Sequence, residues 1–122
     1  MTSTTGGPGK LRVYHLAADL CGQVDEMLRS VQCPQHLRDQ VRRCVDSLLL
    51  NLAEGAGHAQ PGKKAYHFQI AHSEAYEIIA ALNRLEQLNP RASFKRLYET
   101  TTLTSKMLIP LIQKWQAAKN PK

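Results

Sequence analysis

The stretch from Gln40 to Gly57, QVRRCVDSLLLNLAEGAG, decides the fold of this chain. Its apolar residues recur every three or four positions, the spacing that places side chains on one face of an α-helix. The glycines at its end favour the left-handed turn that terminates a helix. We therefore predict an α-helix over residues 34–56. Its main apolar face comprises Leu37, Val41, Cys44, Leu48 and Leu52, and Val45 and Leu49 form a second stripe beside it.

The same helical spacing continues on both sides of this stretch. It predicts three further helices, over about residues 10–32, 63–88 and 91–117. Cys33-Pro34 and Asn89-Pro90 separate neighbouring helices, because a proline disfavours helix in the residue before it. Pro110 lies inside the last helix and predicts a kink there. No segment alternates apolar and polar residues as a β-strand does.

Four helices with short connections predict an all-α, antiparallel up-down-up-down four-helix bundle. The 122 residues suffice for one domain, which we place at residues 10–118. Residues 1–9 contain no apolar stretch and are expected to form a disordered tail instead of a secretory signal. The second and third helices carry more apolar residues than one bundle core covers, so a homo-oligomer is expected.

The cysteines and the hydropathy indicate a cellular location. The chain has three cysteines, an odd number, and no CxxC pair. Reduced thiols in the cytoplasm are the simplest interpretation of that pattern. No run of about 18 apolar residues occurs, so we expect no contact with a membrane.

The net charge of +6 is concentrated in one segment of the chain. Residues 90–122 carry seven Lys or Arg and one Glu, whereas the rest of the chain is neutral. A basic stripe attracts phosphates and favours nucleic acid. It is also typical of a solvated helix face, the interpretation that charge alone favours. The candidate phosphate contacts are Arg91, Lys95, Arg96, Lys106 and Lys114, with Lys63 and Lys64 in a loop.

Motifs for catalysis and cofactor binding are missing from the sequence. It contains no GxxxxGK[ST], GxGxxG, GxSxG or HExxH. No two of the five histidines are spaced i,i+4, and no Glu-x-x-His motif of the di-iron bundles occurs. We therefore predict no enzyme activity, no metal and no cofactor.

A set of polar residues interrupts the apolar faces. Gln40, Ser47, Asn51 and Glu54 share one face of the second helix, and Glu77 lies on the third. One interpretation is a structural network that fixes helix register and caps the amides around Gly55 and Gly57. The other is a contact with a ligand or partner at the end of the bundle. Buried polar networks are usually structural, which favours the first.

The quoted stretch resembles the pattern Q-x-x-R-A-x-x-S-I-x-x-N-I-A-E-G of a family of small four-helix-bundle proteins of 23S rRNA intervening sequences. Leu11 to Ala17 is similar to that family's opening L-x-V-Y-x-x-A. Phe68 to Ala71, followed by Glu77, resembles its F-x-x-x-A-x-G-S-x-x-E helix. Two departures are Cys44, where alanine is common, and Ser73-Glu74 in place of Gly-Ser.

The resemblance implies an antiparallel four-helix protomer, a homopentamer and no known enzyme activity. The relatives it implies include the accessory variability determinant proteins of diversity-generating retroelements, which bind nucleic acid and a reverse transcriptase. Our leading hypothesis is a non-enzymatic homo-oligomer that binds RNA or DNA phosphates through its basic fourth helix as an accessory factor. The alternative is a protein scaffold or adaptor without a nucleic-acid role, and an enzyme or metal protein ranks third.

Overall fold

The computed structural model describes Gly9 and residues 11–120, so the predicted tail over residues 1–9 lies outside the described residues except for Gly9. Four α-helices follow one another along the described chain, and no strand occurs in it. The prediction of an all-α, four-helix protein is confirmed. The helices are α1 (Arg12–Ser30), α2 (Gln35–Gly57), α3 (Pro61–Leu88) and α4 (Lys95–Lys119).

The helix starts differ from the sequence prediction by one residue in α2, by two in α1 and α3, and by four in α4. Helix α3 begins at Pro61, because a proline fits the first helical turn and Lys63 and Lys64 donate their backbone N–H groups to the Gln60 carbonyl. The loop assignment of Lys63 and Lys64 was therefore wrong. Helix α4 begins at Lys95, and Arg91 belongs to the preceding connection.

The helices pack as a ring of neighbours. Helix α2 contacts α1 and α3, and α4 contacts α3 and α1. Within the described residues, the backbones of α1 and α3 do not approach each other closely, nor do those of α2 and α4, so the core lies between the four helices. The largest fully buried side chains recur at helical spacing in all four helices and are Val13, Leu20, Val24, Leu28, Val41, Leu48, Leu52, Phe68, Ile78, Leu82, Leu85 and Leu108.

The threonine-rich part of α4 is helical although its intrinsic propensity is weak. Thr101 and Thr104 are completely buried, and their hydroxyls donate to the backbone carbonyls of Leu97 and Thr100, each over 2.7 Å. Each hydroxyl is thereby satisfied within its own helix, so packing decides the conformation. Pro110 lies within the continuous α4, on its exposed side.

The helix starts share one property. None of the four helices has a side-chain hydrogen bond at its N-cap, and none carries an acidic residue in its first turn. Apart from the Lys95 N–H, which donates to Ser93 Oγ over 3.5 Å, the first N–H groups of the helices are left to the backbone of the preceding residues or to water. Tertiary packing, not capping, holds these helices in place.

Candidate nucleic-acid interface and polar clusters

Four cations form what we name the basic face of α4: Lys95, Arg96, Lys106 and Lys114. All four are exposed. At 100° per residue they fall within an arc of about 100°, opposite the buried residues of the helix, and they extend over about 28 Å along its axis. One carboxylate, that of Glu99, lies within this arc.

The cations at the two ends of the basic face have different surroundings. Arg96 Nη2 lies 3.7 Å from Asp19 Oδ2 on α1, and both side chains are more than half exposed. Such an exposed ion pair contributes little energy and leaves the guanidinium free to exchange partners. Lys114 Nζ lies 4.7 Å from the centre of the Trp115 ring, so this ammonium rests on an aromatic surface.

The other predicted cations are not on this face. Arg91 is exposed in the α3–α4 connection, and Lys63 is exposed in the first turn of α3. Lys64 is only 9% exposed, and its Nζ donates to the carbonyls of Gly55 and Ala56, each over 3.0 Å. Burial, with a contribution from Lys114, lowers the pKa of Lys64. Its ammonium is therefore committed to the end of α2 and does not face a phosphate.

Five side chains on α2 and α3 form what we name the acidic cluster: Gln40, Arg43, Cys44, Glu74 and Glu77. Glu77 Oε1 accepts from Gln40 Nε2 over 3.3 Å and from Arg43 Nη2 over 3.2 Å. Arg43 Nη1 also lies 3.6 Å from Glu74 Oε2. This cluster joins α2 to α3 through one guanidinium held between two carboxylates.

Glu74 is the buried member of the acidic cluster, with its side chain 7% exposed. Its Oε1 is the one buried side-chain oxygen or nitrogen in the described part of the chain that lacks a hydrogen-bond partner. Burial, followed by the charges of Glu74 and Glu77, raises the pKa of Cys44 to about 12. The Cys44 thiol is therefore protonated at neutral pH and is a poor nucleophile.

Four further side chains form what we name the histidine cluster: Asn51, Glu54, His58 and His67. Asn51 Oδ1 lies 2.8 Å from His67 Nδ1, and Asn51 Nδ2 donates to the Ser47 carbonyl over 2.9 Å. His58 Nε2 lies 3.3 Å from Glu54 Oε2. The His58 and His67 rings stack with their centroids 5.0 Å apart. Helix α2 supplies Asn51 and Glu54, the α2–α3 connection supplies His58, and α3 supplies His67.

The five residues of the predicted polar network lie in two separate places. Gln40 and Glu77 belong to the acidic cluster, whereas Ser47, Asn51 and Glu54 lie at the histidine cluster. Lys64, not Glu54, provides the side-chain hydrogen bonds at Gly55 and Ala56. Glu54 is 59% exposed and faces His58.

Sequence reasoning missed the partners that complete both clusters: Arg43, Glu74, His58 and His67. The contacts of Arg43, Glu74 and His67 each join α2 to α3, and spacing within a single helix does not predict them. One signal was available for Glu74, because it stands where the resembling family usually has a small polar residue. A second signal was available for His58, which follows Glu54 by four residues, whereas His67 gave none.

These observations define a small all-α protein with an exposed basic face and two polar clusters between α2 and α3. Residues 9–110 of the chain match the family model described as 23S rRNA-intervening sequence protein. The chain therefore belongs to the family of 23S rRNA-intervening sequence proteins, as the sequence resemblance predicted. Searches of the curated proteins and of the solved structures gave no match.

A helix that crosses a membrane needs a long stretch of apolar residues. Over the described residues, no helix contains a stretch that is both long enough and apolar enough to cross a bilayer.

Proposed function

We propose that this protein is a non-enzymatic homo-oligomer that binds the phosphate backbone of RNA or DNA through the basic face of α4. The observation that carries the proposal is the common orientation of Lys95, Arg96, Lys106 and Lys114, all exposed on one side of a helix. Phosphate contacts of this kind position a nucleic acid without reading its sequence. The family's name refers to an intervening sequence of 23S rRNA, which is an RNA-related context.

An antiparallel arrangement of the helices is part of the proposal. Pairs of contacting residues on α2 and α3 support it, because Gln40 contacts Glu77, Asn51 contacts His67 and Gly55 contacts Lys64. The residue number rises on α2 as it falls on α3. The short connections between the helices support the same up-down-up-down order.

Assembly into a homopentamer is also part of the proposal. Several large apolar side chains remain exposed on the isolated chain, including Leu50 at 63%, Tyr66 at 59% and Tyr76 at 62%. Large apolar side chains that remain exposed are typical of residues that an interface covers. The number five rests on the sequence resemblance, as does the role of an accessory factor to an enzyme such as a reverse transcriptase. We place the assembly in the cytoplasm, where free thiols persist.

Fluorescence polarisation with a labelled RNA duplex, measured between about 50 and 200 mM salt, tests the proposal. We expect binding that weakens steeply with salt. The triple variant Lys95→Gln, Lys106→Gln, Lys114→Gln should lower the slope of log K against log salt by about 2–3, because each lost phosphate contact removes about 0.9. The matched control is Arg12→Gln, Arg29→Gln, Arg42→Gln, which removes three exposed cations of α1 and α2.

Two results would contradict the proposal. One is no binding at about 50 mM salt, and the other is an equal loss of binding in the α4 variant and its control. The alternative function is a protein scaffold that uses the exposed apolar residues. A protein partner that is retained by the α4 variant, together with no affinity for RNA or DNA, would favour that alternative.

A further inference from the structure

We propose that Glu54, His58 and His67 form a binding site for a divalent transition-metal ion such as Zn²⁺. One potential ligand atom from each residue lies within 4.8 Å of those from the other two. Two imidazole nitrogens and one carboxylate oxygen are a ligand set that zinc sites use. Coordination positions not filled by these three residues are left to water or to a partner.

Hydrogen bonds around Asn51 prepare His67 for this role. Asn51 Nδ2 donates to the Ser47 carbonyl over 2.9 Å, which turns the amide oxygen towards His67. Because an amide oxygen only accepts, His67 Nδ1 carries the proton in its 2.8 Å contact with Asn51 Oδ1. The lone pair of the neutral ring is then on Nε2. A histidine that donates one N–H to an oxygen and offers its other nitrogen is the usual arrangement at metal centres.

The spacing of the ligands fits an ion after small movements. His58 Nε2 and Glu54 Oε2 are 3.3 Å apart. Two ligands at about 2.0–2.1 Å from a tetrahedral zinc are separated by about 3.4 Å. The His58 and His67 rings stack at an angle of 12°, so the His58 ring has to rotate before both rings point at one ion. His58 is one-third exposed and follows the last residue of α2, which leaves space for that rotation.

The local charge also favours a cation. No Lys or Arg of the described chain forms an ion pair with Glu54, whose carboxylate lies beside the His58 imidazole. The acidic cluster differs, because Arg43 already occupies the space between Glu74 and Glu77. The carbonyls of Gly55 and Ala56 at the end of α2 already accept from the Lys64 ammonium, so the preference for a cation rests on the Glu54 carboxylate. The histidine cluster is thus the better of the two candidate metal sites.

Isothermal titration of the untagged full-length chain with ZnCl₂ tests the proposal, with visible absorption of the Co²⁺ complex as the second measurement. We expect one ion for each chain and Co²⁺ bands typical of tetrahedral coordination by nitrogen and oxygen. Removing a ligand with His67→Ala or Glu54→Gln should weaken Zn²⁺ binding at least tenfold. Asn51→Leu should weaken it about 10–100-fold, because Asn51 orients a ligand without touching the ion.

Two controls make the result decisive. His36→Ala removes an exposed histidine at the start of α2, away from the cluster, and should leave the affinity unchanged. Cys44→Ser tests the acidic cluster as the alternative site. No binding by the wild-type chain, or binding that is lost in Cys44→Ser and kept in Glu54→Gln, would overturn the proposal. Glu54 is largely exposed, so Glu54→Gln remains informative if His67→Ala fails to fold.

Discussion

At the position of Gly55 there is no room for a side chain. A Cβ atom placed there would lie 2.6 Å from Phe68 Cε1 and 2.8 Å from Phe68 Cδ1. Phe68 is 1% exposed and held in the core, so its ring has little freedom to retreat. No glycine of the described chain has a positive φ, so the requirement at Gly55 is steric and not conformational. Gly55, which matches the last glycine of the family pattern, therefore permits the close approach of α2 to α3.

We expect Gly55→Ala to lower the free energy of unfolding by about 1–3 kcal/mol, the usual cost of overpacking a core. Urea denaturation followed by circular dichroism measures this change. Gly22→Ala is the matched control, because Gly22 lies inside α1 with nothing within 4 Å of an added Cβ. Alanine should stabilise the protein there by about 0.5–1 kcal/mol. Equal effects of the two substitutions would contradict the steric explanation.

Lys64 belongs to α3, and its side chain caps the C-terminal end of α2. We expect Lys64→Met to destabilise the protein by about 1–3 kcal/mol, because the buried carbonyls of Gly55 and Ala56 lose their side-chain donor. Lys63→Met, in the exposed position next to it, should change the stability by less than about 0.5 kcal/mol. Thermal unfolding of the two variants beside the wild type provides the comparison. If Lys63→Met destabilised the protein as much as Lys64→Met or more, the loss would come from the charge and not from the hydrogen bonds to Gly55 and Ala56.

At the scale of the element, the periodicity predicted the cores of the helices better than their ends or their polar contacts. In α3 the apolar residues at helical spacing are all buried: Phe68, Ala71, Ala75, Ile78, Leu82 and Leu85. The start of α4 was predicted at about residue 91 because the first turn of a helix carries no strong periodic signal. The contacts of Glu74 and His67 were not predictable from spacing, since each depends on which face of α2 lies opposite.

The Tyr98 hydroxyl connects α4 to α3, and the stability that this contact contributes depends on pH. Its hydroxyl lies 2.6 Å from both Asn83 Oδ1 and Glu86 Oε1. Burial, followed by the hydrogen bond to Glu86 and its charge, raises the pKa of Tyr98 to about 12. An unfolded tyrosine has a pKa of about 10, so the unfolded chain loses the proton first as pH rises.

The stabilisation linked to this proton is complete below about pH 10 and is lost as pH rises towards 12. We expect the free energy of unfolding to fall over that interval, and to fall less in Tyr98→Phe. Urea denaturation at several pH values between these limits measures the difference. An identical pH dependence of the two proteins would contradict a raised pKa at Tyr98.

At the scale of the whole molecule, the exposed apolar residues of α2 and α3 are the strongest indication of assembly. Tyr66 and Tyr76 lie on the outer side of α3, and Leu50 lies on the outer side of α2. Native mass spectrometry and light scattering should give a mass five times that of the 13.7 kDa chain. Leu50→Glu with Tyr76→Glu should reduce the mass to that of the monomer without loss of helix, because neither side chain contributes to the buried core.

The control for this experiment is Leu103→Glu, which changes an exposed leucine on α4. We expect its oligomer mass to equal that of the wild type. A wild-type monomer would contradict assembly altogether. Dissociation caused by Leu103→Glu alone would place the interface on α4 and would remove the basic face from solvent.

The uncapped helix starts have a consequence for how the molecule opens. Because no N-cap side chain accepts from them, the amides in the first turn of each helix should take up deuterium well before those at its centre. Local opening would thus begin at the helix starts and leave the helix centres protected. Serine or aspartate introduced at the N-cap positions Leu11 or Gln60 would slow that exchange. The natural sequence therefore does not use the stabilisation that N-capping side chains offer.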